Sequence, residues 1–275
     1  MKKVLITTIA LLALIGLAPS TQAQIISVQF SNGNYGFEVK RGTPTAQNLS
    51  AGVAPAQYWN EDTTGGNTVG YPHTVSLSNL LNSTGATTGI SYTGTTDGNF
   101  NSQNGSAGNG FTSGSGDNLL FSAGSLGSYS HTTDVNSFSL SGLSTTDSFS
   151  LIVYVKNLFG DTTNPIDITA GGTSYYINTD STASSYIQST ATTAGTATVG
   201  NYVEFTNLSA TSGGSLSFSL VGTGTSGTSN YLMPGFQLVD NGPASTTSVP
   251  EPSTYALLGF SLLGLLVLRA RQRWV

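Results

Sequence analysis

Hydrolytic chemistry in this sequence would have to run through one of two histidines, His73 and His131. Neither has the surroundings that a catalytic imidazole needs. His73 follows Tyr71-Pro72 at the start of an alternating apolar segment, and His131 lies in a polar turn beside Thr132 and Asp134. Both read as surface residues. A nucleophile elbow is approximated only by Ser113-Gly114-Ser115-Gly116, which has no strand ahead of it. Glu38, Glu61, Asp62 and Glu204 could supply paired carboxylates for glycoside hydrolysis, but that chemistry is set by their separation in space. Two isolated histidines without any cysteine do not make a usual zinc site. Asp161, Asn164 and Asp167, or Glu61 with Asp62, could offer oxygen ligands to a structural calcium. Neither set has EF-hand spacing, and both read as solvated turn acids. The expectation is a non-enzymatic protein without cofactor or metal. One aromatic pair remains, Tyr58-Trp59. Such rings either stack on sugars or pack inward; Trp59 is assigned to the core and Tyr58 is the candidate ligand contact.

The elements that must position these residues are strands. From Gln24 onward the periodicity is two: Ile25-Ile26-Ser27-Val28-Gln29-Phe30, then Tyr35 to Val39, Thr74 to Leu80 and Thr88 to Tyr92. The pattern is clearest from Val135 to Leu140 and from Phe149 to Val155. It continues at Pro165–Thr169, Tyr175–Asn178, Tyr186–Gln188, Tyr202–Phe205, Leu216–Leu220 and Phe236–Val239. Apolar residues alternating with Ser, Thr or Gln mark strands with one wet face. Asn32-Gly33, Asp97-Gly98, Gly171-Gly172 and Gly213-Gly214 punctuate them as turns. No fixed short period recurs, which argues against a β-helix. The fold class is therefore all-β, a single antiparallel β-sandwich over 24–240. Residues 94–117, rich in Gly, Asn, Ser and Thr, read as a long flexible loop, and 241–248 as a spacer.

Composition excludes one class of partner. The chain of 275 residues has 8 Lys and Arg against 13 Asp and Glu. Five of the basic residues sit at the two ends, so the stretch between Gln24 and Val249 is strongly acidic. Phosphate neutralisation needs clustered Lys and Arg, and no nucleic-acid partner is expected. The absence of cysteine means that the domain rests on its core alone.

Both ends carry export signals. Lys2-Lys3, the apolar run Val4 to Leu17 and the small-residue region ending Thr21-Gln22-Ala23 make a signal peptide over 1–23, with cleavage between Ala23 and Gln24. At the other end, Val249-Pro250-Glu251-Pro252-Ser253 precedes an apolar run, 255–268, and then Arg269, Arg271 and Arg273. As a helix the run covers about 21 Å, short of a ~30 Å hydrocarbon core, and snorkelling arginine stems extend it. The arginines would face the cytoplasm and set topology, with Trp274 at the headgroup level. The expectation is a C-terminal transmembrane helix.

A Pro-Glu-Pro tripeptide, a short helix containing Leu-Leu-Gly and a basic end closely resemble the PEP-CTERM sorting domain of Gram-negative bacterial envelope proteins. The resemblance covers 249–275. It implies recognition of Pro250, Glu251 and Pro252 by an exosortase, a membrane-embedded cysteine protease or transpeptidase-like enzyme. On this reading the chain is membrane-anchored until processing, then at the cell surface or extracellular, and associated with exopolysaccharide or biofilm. Val53-Ala-Pro-Ala-Gln-Tyr-Trp-Asn60, Gly200 to Phe205 and Met233 to Val239 are similar to a galactose-binding-like, jelly-roll domain of the carbohydrate-binding-module type. That second resemblance implies a non-catalytic sandwich and carries no ligand site with it. The competing function is a carbohydrate-binding module or a glycan-cleaving enzyme.

Overall fold

Alternating apolar and hydroxyl-bearing residues build two sheets that bury their apolar faces against each other. The computed structural model of the chain describes residues 24–31, 49–64, 71–101, 110–127, 135–157, 164–179, 182–223 and 231–244. The first sheet contains β1 (Gln24–Phe30), β2 (Asn60–Asp62), β5 (Asn99–Asn101), β6 (Ala123–Gly127), β8 (Asp147–Asn157), β12 (Tyr202–Ser209) and β14 (Tyr231–Pro243). Its main order is β12-β8-β14-β1-β2, and β6 joins β14 and carries β5. The second contains β3 (His73–Leu77), β4 (Ser91–Thr96), β7 (Asn136–Ser141), β9 (Ile166–Ala170), β10 (Thr173–Thr179), β11 (Thr198–Gly200) and β13 (Leu216–Gly222). Its order is β11-β10-β9-β13-β7-β4-β3.

The core follows from the alternation. Ile26, Val28 and Phe30 of β1, Leu151, Val153 and Val155 of β8, and Phe236 and Leu238 of β14 face inward from the first sheet. Phe138, Leu140, Phe218, Leu220 and Ile168 meet them from the second. Phe138 and Phe218 stack at 4.9 Å, and Phe236 meets the Phe218 ring at 5.3 Å with the planes tilted to 67°. Each fully buried ring contributes about 1.5–3 kcal/mol. Gly94 faces inward on β4 because a Cβ there would run into the Phe138 ring and the Ser137 carbonyl.

The longest strand, β14, serves two neighbours along one edge. Tyr231 to Met233 pair with β6, and Gly235 to Asp240 pair with β1. Pro234 stands at the changeover, where the register with β8 shifts between Leu232 and Gly235. A residue without an N–H is tolerated at such a bulge.

Several sequence expectations need correction. Two pairings are parallel, β1 with β2 and β10 with β11, so the sandwich is not wholly antiparallel. Gly94 lies in β4, Asn99–Asn101 form β5, and a short helix, α1 (Gly116–Leu120), begins inside the stretch read as a flexible loop. Phe111, one of two large apolar residues in that stretch, stacks on Phe121 at 5.3 Å and anchors it although the surrounding composition is polar. The remaining 102–109 lie outside the described residues. Asp97-Gly98 does not close a hairpin; it is the corner where the chain leaves the second sheet for the first. Tyr186–Gln188 is not a strand, although Gln188 bridges to Tyr202. β14 also runs to Pro243, into the stretch read as spacer. Gly171-Gly172 is a two-residue hairpin as the sequence suggests, with φ of +57° and +79° and Ala170 paired to Thr173.

Candidate functional site

On the first sheet, β8 is buried on both faces, because a further layer covers its outer side. That layer is built from 49–59, α1 and Tyr186, with Ala51, Trp59, Leu120, Phe121, Ile152 and Tyr154 as its buried centre. Outward positions on this sheet carry long polar side chains, and these hold the layer down. Gln237 donates from Nε2 to the Ala54 carbonyl at 2.7 Å and to Ser27 Oγ at 2.9 Å. Its Oε1 accepts from the Tyr154 hydroxyl at 2.5 Å, and that hydroxyl accepts from the Val53 N–H at 2.7 Å. Gln29 Nε2 donates to the Leu119 carbonyl at 2.9 Å. Tyr186 donates to Asp117 Oδ1 at 2.5 Å and accepts from the Gly52 N–H at 2.9 Å. Burial pushes the Tyr154 and Tyr186 phenols well up, so they act as fixed, protonated linkers.

The Val53–Asn60 segment is thus structural. Trp59 is fully buried, as expected, but in this outer layer rather than between the sheets, and its Nε1 donates to the Ala56 carbonyl at 3.1 Å. Asn60 clamps Leu81, accepting its N–H at 2.8 Å and donating to its carbonyl at 2.8 Å. Tyr58 is half-buried, with its ring against Gly85, whose φ of +80° and lack of a Cβ admit it. A ring so placed presents only part of one face to a ligand.

The acidic candidates are dispersed. Asp62 is buried and accepts hydrogen bonds from the Tyr92 hydroxyl, from the Thr64 N–H at 2.6 Å and from Thr64 Oγ1 at 2.5 Å. Burial lifts its pKa, with those hydrogen bonds opposing. Glu61 accepts from Ser31 Oγ. Glu204 sits on β12, at the far side of the order β12-β8-β14-β1-β2. Four interstrand steps put it about 19 Å from β2, well beyond the ~5–9.5 Å that separates glycosidase carboxylates. Asp167 accepts from Thr169 Oγ1 at 3.1 Å on β9. Among the described residues no three His, Cys, Asp or Glu side chains come together. His73 begins β3 opposite Thr96. Ser115, from the elbow-like repeat, is the N-cap of α1 and accepts from the Asn118 N–H at 3.1 Å. Glu38, His131 and Asp161 lie outside the described residues.

The second sheet has no covering layer among the described residues, and its outer face forms a shallow depression of about 520 Å³ lined by Ser, Thr and Gly together with Phe138, Ala170 and Phe218. Ser-x-Ser or Thr-x-Thr alternation is present in the sequence of β4, β7 and β13. The strand register, which no single stretch of sequence displays, brings these hydroxyls side by side.

Gln24 opens β1 and pairs with Asp240, so the strand starts at the residue expected to follow signal cleavage. Ala23, Pro250, Glu251, Pro252, 255–268, Arg269, Arg271 and Arg273 lie outside the described residues. Among the described residues no helix is long and apolar enough to cross a membrane. No curated protein matches the chain. Residues 248–272 do match a family model, described as the PEP-CTERM protein-sorting motif. That motif indicates an exported chain, anchored through its C-terminal end until an exosortase processes it.

Proposed function

We propose that the chain is a non-enzymatic protein of the cell envelope or extracellular matrix, delivered by its tail and associated with exopolysaccharide or biofilm. The observation that carries this reading is the fit between fold and signals. The compact unit Ala23–Ala244 fills the interval between the expected signal cleavage site and the sorting motif at 248–272. Pro250, Glu251 and Pro252 fall beyond it. The separation of Glu204 from Glu61 and Asp62 supports a non-enzymatic role. The test is the intact mass and location of the protein in its native host, with Pro250, Glu251 and Pro252 intact or replaced by alanines. C-terminal trimming and surface release should both be lost in the variant. Retention of 254–275 in both versions would overturn exosortase processing and leave a plain membrane anchor.

A carbohydrate-binding module is the second reading, and one observation favours it. The run β7-β8-β9 crosses between the sheets alongside β12-β13-β14, with β8 between β12 and β14 and β13 between β9 and β7. Such interleaved crossings are those of a jelly roll, an architecture that hosts lectin-type domains. Fold alone does not assign a ligand.

A further inference from the structure

We infer that the outer face of the second sheet binds an extended, uncharged polysaccharide chain laid across its strands. The inference deepens the polysaccharide association proposed above and rests on it for the ligand class. It is carried by a row of hydroxyls that the register builds. Ser174 pairs with Thr169, Thr169 with Ser219, Ser219 with Ser137, Ser137 with Thr95, and Thr95 with Thr74. All six side chains point away from the core, and five of the strands supplying them flank the depression. A parallel row, from Ser76 through Thr93 and Ser139 to Ser217, lies two residues further along.

The chemistry of this face selects its ligand. Each hydroxyl is both donor and acceptor, which suits a polyol. Thr169 and Ser174 hydrogen-bond each other at 2.6 Å, whereas no described residue is bonded to the hydroxyls of Ser219, Ser137, Thr95 and Thr74. Neighbouring strands stand about 4.8 Å apart, close to the length of one pyranose in an extended chain, so successive sugars meet successive hydroxyls. Among the described residues no charged side chain lines the depression, the one carboxylate bonded to the row, Asp167 on Thr169, is negative, and the chain as a whole carries a net charge of −5, so polyanions gain no counter-charge here. Across five steps the sheet twists by roughly 100°, which a flexible chain follows and a flat crystalline surface does not. Single hydroxyl contacts are weak against water, about 0.5–1.5 kcal/mol each. Binding therefore needs a polymer that engages many at once.

The test is affinity electrophoresis of the full chain in detergent through gels containing hydroxyethylcellulose, with alginate gels as the polyanionic comparison. The expected result is retardation by the neutral polymer, none by alginate, and no competition by free glucose. The double variant S137A/S219A, and separately the near-isosteric T95V, should weaken retention, the double by about tenfold, with unfolding midpoints unchanged. Ser148→Ala, on the first sheet, should retain fully. Retardation of the wild type that survives both variants would place binding elsewhere and overturn this face while leaving the polysaccharide association standing. No retardation at all overturns both. Conversion of dimer to monomer by S137A/S219A, without polymer binding, would show that the face seats a second copy instead.

Discussion

Lys156 is the side chain whose replacement tests the energetics of the covered sheet most directly. It points outward from β8 into the covering layer, is 3% exposed, and donates from Nζ to the Phe121 carbonyl at 3.0 Å. Burial pulls its pKa from 10.5 down to about 8. At pH 7 the amine is still mostly protonated, and holding that charge in the fold costs about 3 kcal/mol relative to the unfolded chain. Lys156→Met keeps the length of the side chain and removes the charge. It also leaves the Phe121 carbonyl without its donor, at about 1–2 kcal/mol. The variant should therefore be more stable than the wild type by roughly 1–2 kcal/mol at pH 7.

The pH dependence separates this account from a packing effect. Between pH 8 and 10.5 the unfolded chain binds the proton and the folded chain does not, so the wild type gains stability as pH rises. Between pH 7 and 9.5 that gain is about 2 kcal/mol, and Lys156→Met lacks it. Urea unfolding followed by tryptophan fluorescence at several pH values across this window gives both curves, and groups common to the two proteins cancel in the difference. Parallel curves, with the variant less stable throughout, would refute the reasoning. They would mean that a carboxylate from elsewhere in the chain holds Lys156 charged and paired.

Other substitutions probe separate elements. Trp59→Ala should cost about 3–5 kcal/mol, read by chemical denaturation, because it empties the centre of the covering layer. Asp62→Asn should change the pH profile in the opposite sense to Lys156. The folded carboxyl has a raised pKa, so its contribution to stability is greatest below about pH 4 and is lost as pH rises through the folded value. The wild type should accordingly lose ground to D62N over that range in urea midpoints. Tyr58→Ala should lower the midpoint modestly, by about 1 kcal/mol, while leaving polymer retention unchanged. Loss of retention there would restore Tyr58 as a ligand contact. Gly94→Ala should destabilise by roughly 1–3 kcal/mol in thermal unfolding, because the Phe138 ring cannot move aside in a packed core.

Period-two alternation of burial is displayed by β7 and β13, whereas β8 and β14 are buried at consecutive positions along much of their length because both of their faces are covered. Alternation could not announce β5, three residues long and poor in apolar groups, or the helix capped by Ser115, because one turn of helix has no periodicity to display. Pairing partners were also hidden. Asp97-Gly98 has the composition of a hairpin turn, and only the demand of β5 for an edge on β6 shows that the chain changes sheets there. Glu61, Asp62 and Glu204 had the residue types of an acid–base pair, yet the strand order that sets them apart is a long-range property. Composition identified the tail motif because that signal is contiguous.

The two outer faces show why similar alternation leads to different ends. On the first sheet the outward positions include Gln29, Tyr154, Lys156 and Gln237, whose reach and mixed polarity let them capture backbone groups of Val53, Ala54, Leu119 and Phe121. A loop without regular structure can be buried there because its N–H and C=O groups are satisfied one by one. On the second sheet the outward positions of β4, β7 and β13 are Ser and Thr apart from Val221 at the end of β13, with Gly94 and Phe138 facing in. A hydroxyl one carbon from the backbone cannot reach a covering loop, and it adds too little apolar area to hold one down. The same shortness leaves the strands open to a ligand that supplies its own hydroxyls at close range. Lengthening two of those side chains, for example Ser139→Gln with Ser217→Gln, should abolish polymer retention without loss of stability, since the new amides would fill the depression with groups that bond each other. Retention undiminished by that change would mean that the depression is not where the polymer lies.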